Sequence, residues 1–178
     1  MLESLITSKT RIKLLLKFFL NSGTTSYLRG LAPEFDESTN AIRHELNRFE
    51  QAGLLLAEQQ GNKKIYHANT NHPLFPDINS LLMKYVGLDK IVDKVVVQLG
   101  KLDKVYLVGE LAKGKNSKII DLIFVGNNID KNYLLELINK AEKALERKVR
   151  YIILSVQEAR DFLKSKPENE VLLLWEKE

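Results

Sequence analysis

The sequence predicts an α+β chain in two parts. The N-terminal part is helical and closes on a β-hairpin; the C-terminal part is a small α/β arrangement with a mixed sheet. Three observations carry this. Apolar residues recur at helical spacing through most of residues 8–53. A Gly-Asn pair then separates two strand-like runs. Beyond residue 100, β-branched runs alternate with one long amphipathic helix. The 178 residues, 44% hydrophobic and 28% charged, have ordinary globular composition and fit one mid-sized domain or two small ones. That composition sets aside a disordered, collagen-like or wholly coiled-coil chain.

In the first part, Ser8 and Thr10 are N-cap candidates, and Ile12, Leu15, Leu16 and Phe19 form one apolar helix face. Asn21-Ser22-Gly23 ends this helix, with Gly23 free to take positive φ. Thr24, Thr25 and Ser26 offer caps for a second helix through Tyr27, Leu28 and Leu31, which Pro33 keeps short or kinked. A third helix starts at Ser38 or Thr39, buries Ile42, Leu46 and Phe49, and ends at Gly53. Its other face carries Asn40, Arg43, His44, Asn47 and Arg48, which can donate to phosphates or base edges, while Glu45 and Glu50 fall mostly to the side. Residues 54–60 and 63–69 flank Gly61-Asn62, a hairpin signal because both turn residues tolerate positive φ, and Lys63 and Lys64 sit at its tip.

Three helices and a basic-tipped hairpin follow the order of a winged helix-turn-helix. Residues 38–54, ending in Ala52-Gly53-Leu54, resemble the recognition helix and following turn of ArsR-type repressors, and the resemblance covers residues 8–70. It implies binding of double-stranded DNA as a dimer, with the third helix in the major groove and the wing along the backbone or minor groove. Asn40, Arg43, His44 and Asn47 would then meet base edges or nearby phosphates, and Arg48, Lys63 and Lys64 would meet phosphates. A solvated polar face, or a winged module used for protein contacts, is the alternative. The metal-sensing branch of that family uses cysteine or histidine clusters, and these do not carry over to a chain with no cysteine and three dispersed histidines, His44, His67 and His72.

Asn71-His72-Pro73 and Pro76 place the boundary near residue 72. A connecting helix follows over 73–87, with Ile78, Leu81, Leu82, Tyr85 and Val86 apolar and Gly87 at its end; it either pairs two subunits or packs within the chain. A further helix runs from Leu88 to Leu99. Strands are then expected at 105–108, 119–125 and 149–154, with a helix capped by Asp130 between the last two. Ser155 and Glu158 match a capping box. The apolar tail 171–175 packs back onto the core.

Residues 108–125 resemble the core of small nucleotidyltransferase domains of the polymerase-beta type, in which a glycine and serine cradle phosphates and strand carboxylates hold two magnesium ions. Gly109, Ala112, Lys113, Gly114 and Asp121 match that pattern. Glu110 stands where the serine would be, Ile119 stands in place of the first carboxylate, and strand 149–154 has none. One of three metal ligands remains, so the resemblance implies the fold and not the activity. Gly109, Lys113, Gly114 and Asp121 are read as a vestigial nucleotide site. The lysines at 113, 115 and 118 either hold an anionic effector, such as a nucleotide or sugar phosphate, or form a solvated loop.

The expectation is a cytoplasmic, DNA-binding transcriptional regulator acting as a homodimer. Residues 1–72 form the winged helix-turn-helix, and residues 88–178 form a nucleotidyltransferase-like, non-enzymatic domain for dimerisation or ligand response. No metal or cofactor is expected. An active nucleotidyltransferase with an altered site, or an antitoxin-like protein partner, are the alternatives. No apolar run reaches the ~18 residues of a membrane span. The net charge of +4 is shared evenly: residues 1–72 hold nine Lys/Arg against seven Asp/Glu, and residues 73–178 hold eighteen against sixteen. The case for DNA therefore rests on where particular cations sit.

Overall fold

The computed structural model describes residues 2–99 and 102–177. The chain divides into two compact units, one through Tyr85 and the other from Val86 on. The division falls at the C-terminal end of the helix expected to connect two domains.

The first unit begins with a single turn, α1 (Leu2–Leu5), and α2 (Lys9–Leu15). Ser8 caps α2, accepting from the Arg11 N–H at 3.2 Å. The helix continues as a π-type segment, Leu16–Leu20, all of it buried. The apolar stripe expected here is thus too narrow, since Leu14, Phe18 and Leu20 are buried as well. Even Lys17 is buried, its Nζ 2.8 Å from Glu34 Oε1. Asn21 closes the segment: its Oδ1 accepts the Gly23 N–H, and Gly23 does not adopt positive φ. The Thr24 hydroxyl donates to the Lys17 carbonyl, a partner for a group that the wider winding leaves over.

Thr25 and Ser26 do not cap the next helix. They lie in a short strand, β1 (Thr25–Tyr27), paired antiparallel to β3 (Lys63–Ala68). Helix α3 (Leu28–Phe35) is short, with Pro33 inside it, and ends at Asp36 in the left-handed region. Helix α4 (Thr39–Gln51) is capped by Ser38, which accepts from the Ala41 N–H at 3.2 Å, and Gly53 follows with φ +70°. Ile42, Leu46 and Phe49 are buried, and Phe49 meets Phe19 edge to face at 6.3 Å. Strands β2 (Leu55–Gln60) and β3 pair in register from Leu55↔Ala68 to Gln60↔Lys63. Only Gly61 of the turn takes positive φ. The sheet order is β1-β3-β2. Helix α5 (Phe75–Val86) packs Phe75 on Phe19 at 5.9 Å, and Asn79 donates to the Phe19 carbonyl at 2.7 Å.

In the second unit, Gly87 takes φ +85°. α6 (Leu88–Ile91), a π-type segment (Val92–Val96) and α7 (Val97–Leu99) follow one another along the chain. A four-stranded mixed sheet comes next, in the order β6-β5-β4-β7: β4 (Lys104–Val108), β5 (Ile119–Val125), β6 (Lys148–Leu154) and β7 (Leu172–Glu176). β5 runs parallel to β6 and antiparallel to β4, and β4 is antiparallel to β7. The apolar tail therefore joins the sheet as an edge strand. Between β4 and β5 the chain makes one helical turn, α8 (Gly109–Ala112), where sequence alone suggests only loop.

Helix α9 (Lys131–Leu145) is capped by Asp130, which accepts from the Asn132 and Tyr133 N–H groups at 3.0 Å each. It buries Leu134, Leu137, Ile138 and Ala141. The capping box of α10 (Val156–Lys164) forms as expected. Ala159 of α10 joins Ile123 and Val125 of β5 in a small core, with Tyr106 and Leu154 packed against it. Alternation along β5 sends Ile123 and Val125 to this side, and Ile120, Leu122 and Phe124 to the other. Asp121 shares the α10 side and is the single carboxylate in an otherwise apolar strand.

Candidate nucleic-acid interface and a carboxylate–guanidinium cluster

In the first unit α4 exposes Asn40, Arg43, His44, Asn47 and Arg48 together, while Ile42, Leu46 and Phe49 anchor the opposite side. The spacing 40, 43, 44, 47, 48 is one helix face at 3.6 residues per turn. Arg43 Nη1 donates to Asn40 Oδ1 at 3.0 Å, so one residue of this face orients another.

Glu45 does not lie to the side as expected; it is buried. Its carboxylate accepts from Arg11 Nε at 2.9 Å, Arg11 Nη2 at 3.2 Å and the Ser8 hydroxyl at 2.8 Å. Arg48 Nη1 stands 4.0 Å away. Burial acts to raise the Glu45 pKa, but the bonds from Arg11 and Ser8 outweigh it and hold the carboxyl below its ordinary value. Glu45 thus ties the start of α2 to the middle of α4 and fixes the angle at which the polar face is presented. The heptad-like stripe in the sequence hides this role, since Glu45 neighbours Leu46 on the buried side.

The hairpin lysines differ from each other. Lys63 is exposed, with its Nζ 4.4 Å from the centre of the Tyr27 ring, a cation–π contact. Lys64 Nζ lies 2.7 Å from Glu50 Oε2 and over the Tyr66 ring, and the Glu50 bond raises its pKa. Glu50, expected at the margin, in effect links the hairpin back to α4. A phosphate would have to displace it from Lys64, whereas Lys63 needs no such exchange.

In the second unit the four residues read as a nucleotide site lie around the β4–β5 connection. Gly109, just after β4, has φ +74°, and a Cβ placed there would stand 2.4 Å from Asp121 Oδ2. Only glycine accommodates both the backbone and the carboxylate. Gly114 has φ +78°. Lys113 Nζ is 3.3 Å from Glu170 Oε2, and Lys115 Nζ is 3.2 Å from Glu110 Oε2. Two of the loop lysines thus already face carboxylates, which lowers the net charge open to an anion.

Asp121 itself is held on both oxygens: Arg150 Nε donates to Oδ1 at 2.6 Å and Arg150 Nη2 to Oδ2 at 3.0 Å. The parallel register places Arg150 directly opposite Asp121. An arginine on the neighbouring strand therefore occupies both oxygens of this carboxylate. The bond to Asp121 raises the Arg150 pKa further. The Asp121–Arg150 pair is not visible in the sequence, because it depends on strand register. Among the described residues, no group of three or more His, Cys, Asp or Glu side chains could hold a metal ion. No helix there is long and apolar enough to cross a membrane.

No protein-family model matches the sequence, and no curated protein matches it significantly. Solved structures resemble it at low identity. A mutant of the toxin–antitoxin complex MntA–HpeT is 23% identical with a TM-score of 0.40, over 51% of this chain and 73% of that one. AF1382 from Archaeoglobus fulgidus is 17% identical with a TM-score of 0.39, over 48% and 97%. A provisionally assigned nucleotidyltransferase from Sulfolobus solfataricus is 24% identical with a TM-score of 0.36, over 55% and 83%.

Proposed function

We propose that the chain is a DNA-binding regulator. In this reading the first unit is an ArsR-like winged helix-turn-helix, and the second is a nucleotidyltransferase-like module without catalysis. The observation that carries it is the α4 face. Five hydrogen-bonding side chains are exposed along one helix that three buried residues and the Glu45–Arg11 pair hold rigidly. A helix of this kind fits the major groove, where an arginine reads the O6 and N7 of guanine and an asparagine reads adenine. Arg43, His44, Asn47 and Asn40 take the base edges or adjacent phosphates, Arg48 a phosphate, and the hairpin with Lys63 and Lys64 lies as a wing along the backbone. Fluorescence anisotropy with random duplex DNA at low salt tests this. Binding that weakens steeply with salt is expected; no binding at any salt concentration contradicts it.

The second unit is read as non-catalytic because its donor set does not fit two magnesium ions. Asp121 is the one carboxylate left of the motif's three metal-ligand positions, and Arg150 holds both its oxygens. Magnesium-dependent transfer of a labelled nucleotide that Asp121→Asn abolishes would contradict this and restore the enzymatic alternative. The role of that unit is then ligand response or protein contact. An antitoxin-like protein-partner role is the remaining alternative for that unit. Co-purification of a stoichiometric second protein from the native cell would support that role.

A further inference from the structure

Helix α10 turns Val156, Ala159, Arg160 and Leu163 to one side, the spacing of a single helix face. Three of these are apolar and one is an arginine. Between this face, the start of β4 and the end of β5 lies a cavity of about 120 Å³. Its floor is Val125, Ala159 and Leu163, part of the small core on this side of the sheet. Ala159 is buried, and its single methyl leaves space that a larger side chain there would fill. The polar residues of the wall are Asp103, Lys104, Tyr106 and Arg160. Lys104 is already neutralised, its Nζ 2.6 Å from Glu176 Oε1. Arg160 stands near enough for its charge to act on Lys104, yet no acid pairs with it among the described residues. The Asp103 carboxylate and the Tyr106 hydroxyl have no partner there either. Asp103 and Arg160 thus wall one small cavity with opposite charges that no ion pair joins.

We propose that this cavity binds a small aliphatic α-amino acid as its zwitterion. The ligand carboxylate accepts from the Arg160 guanidinium and the Tyr106 hydroxyl, its ammonium donates to the Asp103 carboxylate, and its side chain packs on Val125, Ala159 and Leu163. An apolar floor with a few convergent polar groups is the ordinary make-up of a small-molecule site. The two charges select the class. A plain carboxylate would meet its own sign at Asp103, and a plain amine would meet its own sign at Arg160, whereas a ligand carrying both satisfies the two together. Size selects the side chain: a dry cavity of about 150 Å³ admits benzene, so this one takes an aliphatic group of the size found in alanine, valine or leucine. Such binding would supply the ligand response read for the second unit, and that consequence rests on that reading; the binding itself depends neither on it nor on DNA.

Isothermal titration calorimetry of the full chain without DNA tests this, with valine as the probe. Saturable one-to-one binding at millimolar valine is expected. Isobutyrate and isobutylamine, which carry one charge each, and tryptophan, which is too large, should bind at least about tenfold more weakly. Arg160→Gln and Asp103→Asn, both at side chains that meet solvent, should keep the fold and each weaken valine binding about tenfold, the loss of one charge-assisted hydrogen bond. The wild-type ligand series decides the question even if a variant unfolds. No saturable binding of alanine, valine or leucine overturns the proposal. Isobutyrate that binds as tightly as valine, or a valine affinity that both folded variants leave unchanged, overturns it as well.

Discussion

Replacing Glu45 by glutamine removes one negative charge from beneath α4 and changes little in shape. The wild-type carboxylate accepts two bonds from Arg11 and one from Ser8. Breaking a fully buried ion pair by deleting one partner costs about 3–5 kcal/mol. The Arg11 side chain is 33% exposed, so water recovers part of its solvation, and the expected cost falls to about 2 kcal/mol. Because the loss is local, amide hydrogen exchange at Leu46 and Phe49 is the suitable assay. Both amides should open about 2 kcal/mol more easily in Glu45→Gln. The effect should depend on pH in one direction. The folded-state pKa of Glu45 lies below its ordinary value. Its stabilisation is therefore complete above the unfolded pKa of about 4.3 and disappears as pH falls through the folded value. The gap between wild type and variant should close in that acidic window. Arg11→Met combined with Glu45→Gln should cost less than the two changes added separately. Additive costs, or a gap that persists in acid, would refute the claim that this pair fixes the helix.

Gly109→Ala meets both a left-handed backbone and the Asp121 carboxylate; a loss of about 1–3 kcal/mol is expected, read by urea unfolding of the second unit through Trp175 fluorescence. The Glu3 carboxyl is held at a pKa of about 2, first by the Tyr85 hydroxyl and then by its own backbone N–H; an NMR titration should find it there, and Tyr85→Phe should return it toward the ordinary glutamate range. Lys63→Ala should flatten the slope of log affinity against log salt by about 0.9. Lys64→Ala should flatten it less, because Glu50 already occupies that lysine.

Much of the architecture is legible in the sequence, because it rests on local chemistry. Ser8, Ser38, Asp130 and the Ser155–Glu158 box cap the helices they are expected to cap. Gly53 and Gly61 take the positive φ that their turns need. What the sequence hides is long-range. Strand β1 is three residues, Thr25, Ser26 and Tyr27, of which the first two read as caps and the third as helix until β3 pairs with them. The buried roles of Lys17 and Glu45 depend on partners 17 and 34 residues away. The candidate site divides in the same way. The exposure of Asn40, Arg43, His44, Asn47 and Arg48 follows from helical spacing alone. The Arg150 clamp on Asp121 emerges only when β5 and β6 are aligned.

The proposed function stands on the exposed α4 face reading DNA. Selection of duplexes from a random library by the purified chain, repeated with Arg43→Ala, tests it most directly. An enriched motif containing a guanine at a fixed position is expected, with that position relaxed in Arg43→Ala and affinity lowered by about 1–3 kcal/mol. No enrichment by the wild-type chain, or an identical motif from Arg43→Ala, would contradict it.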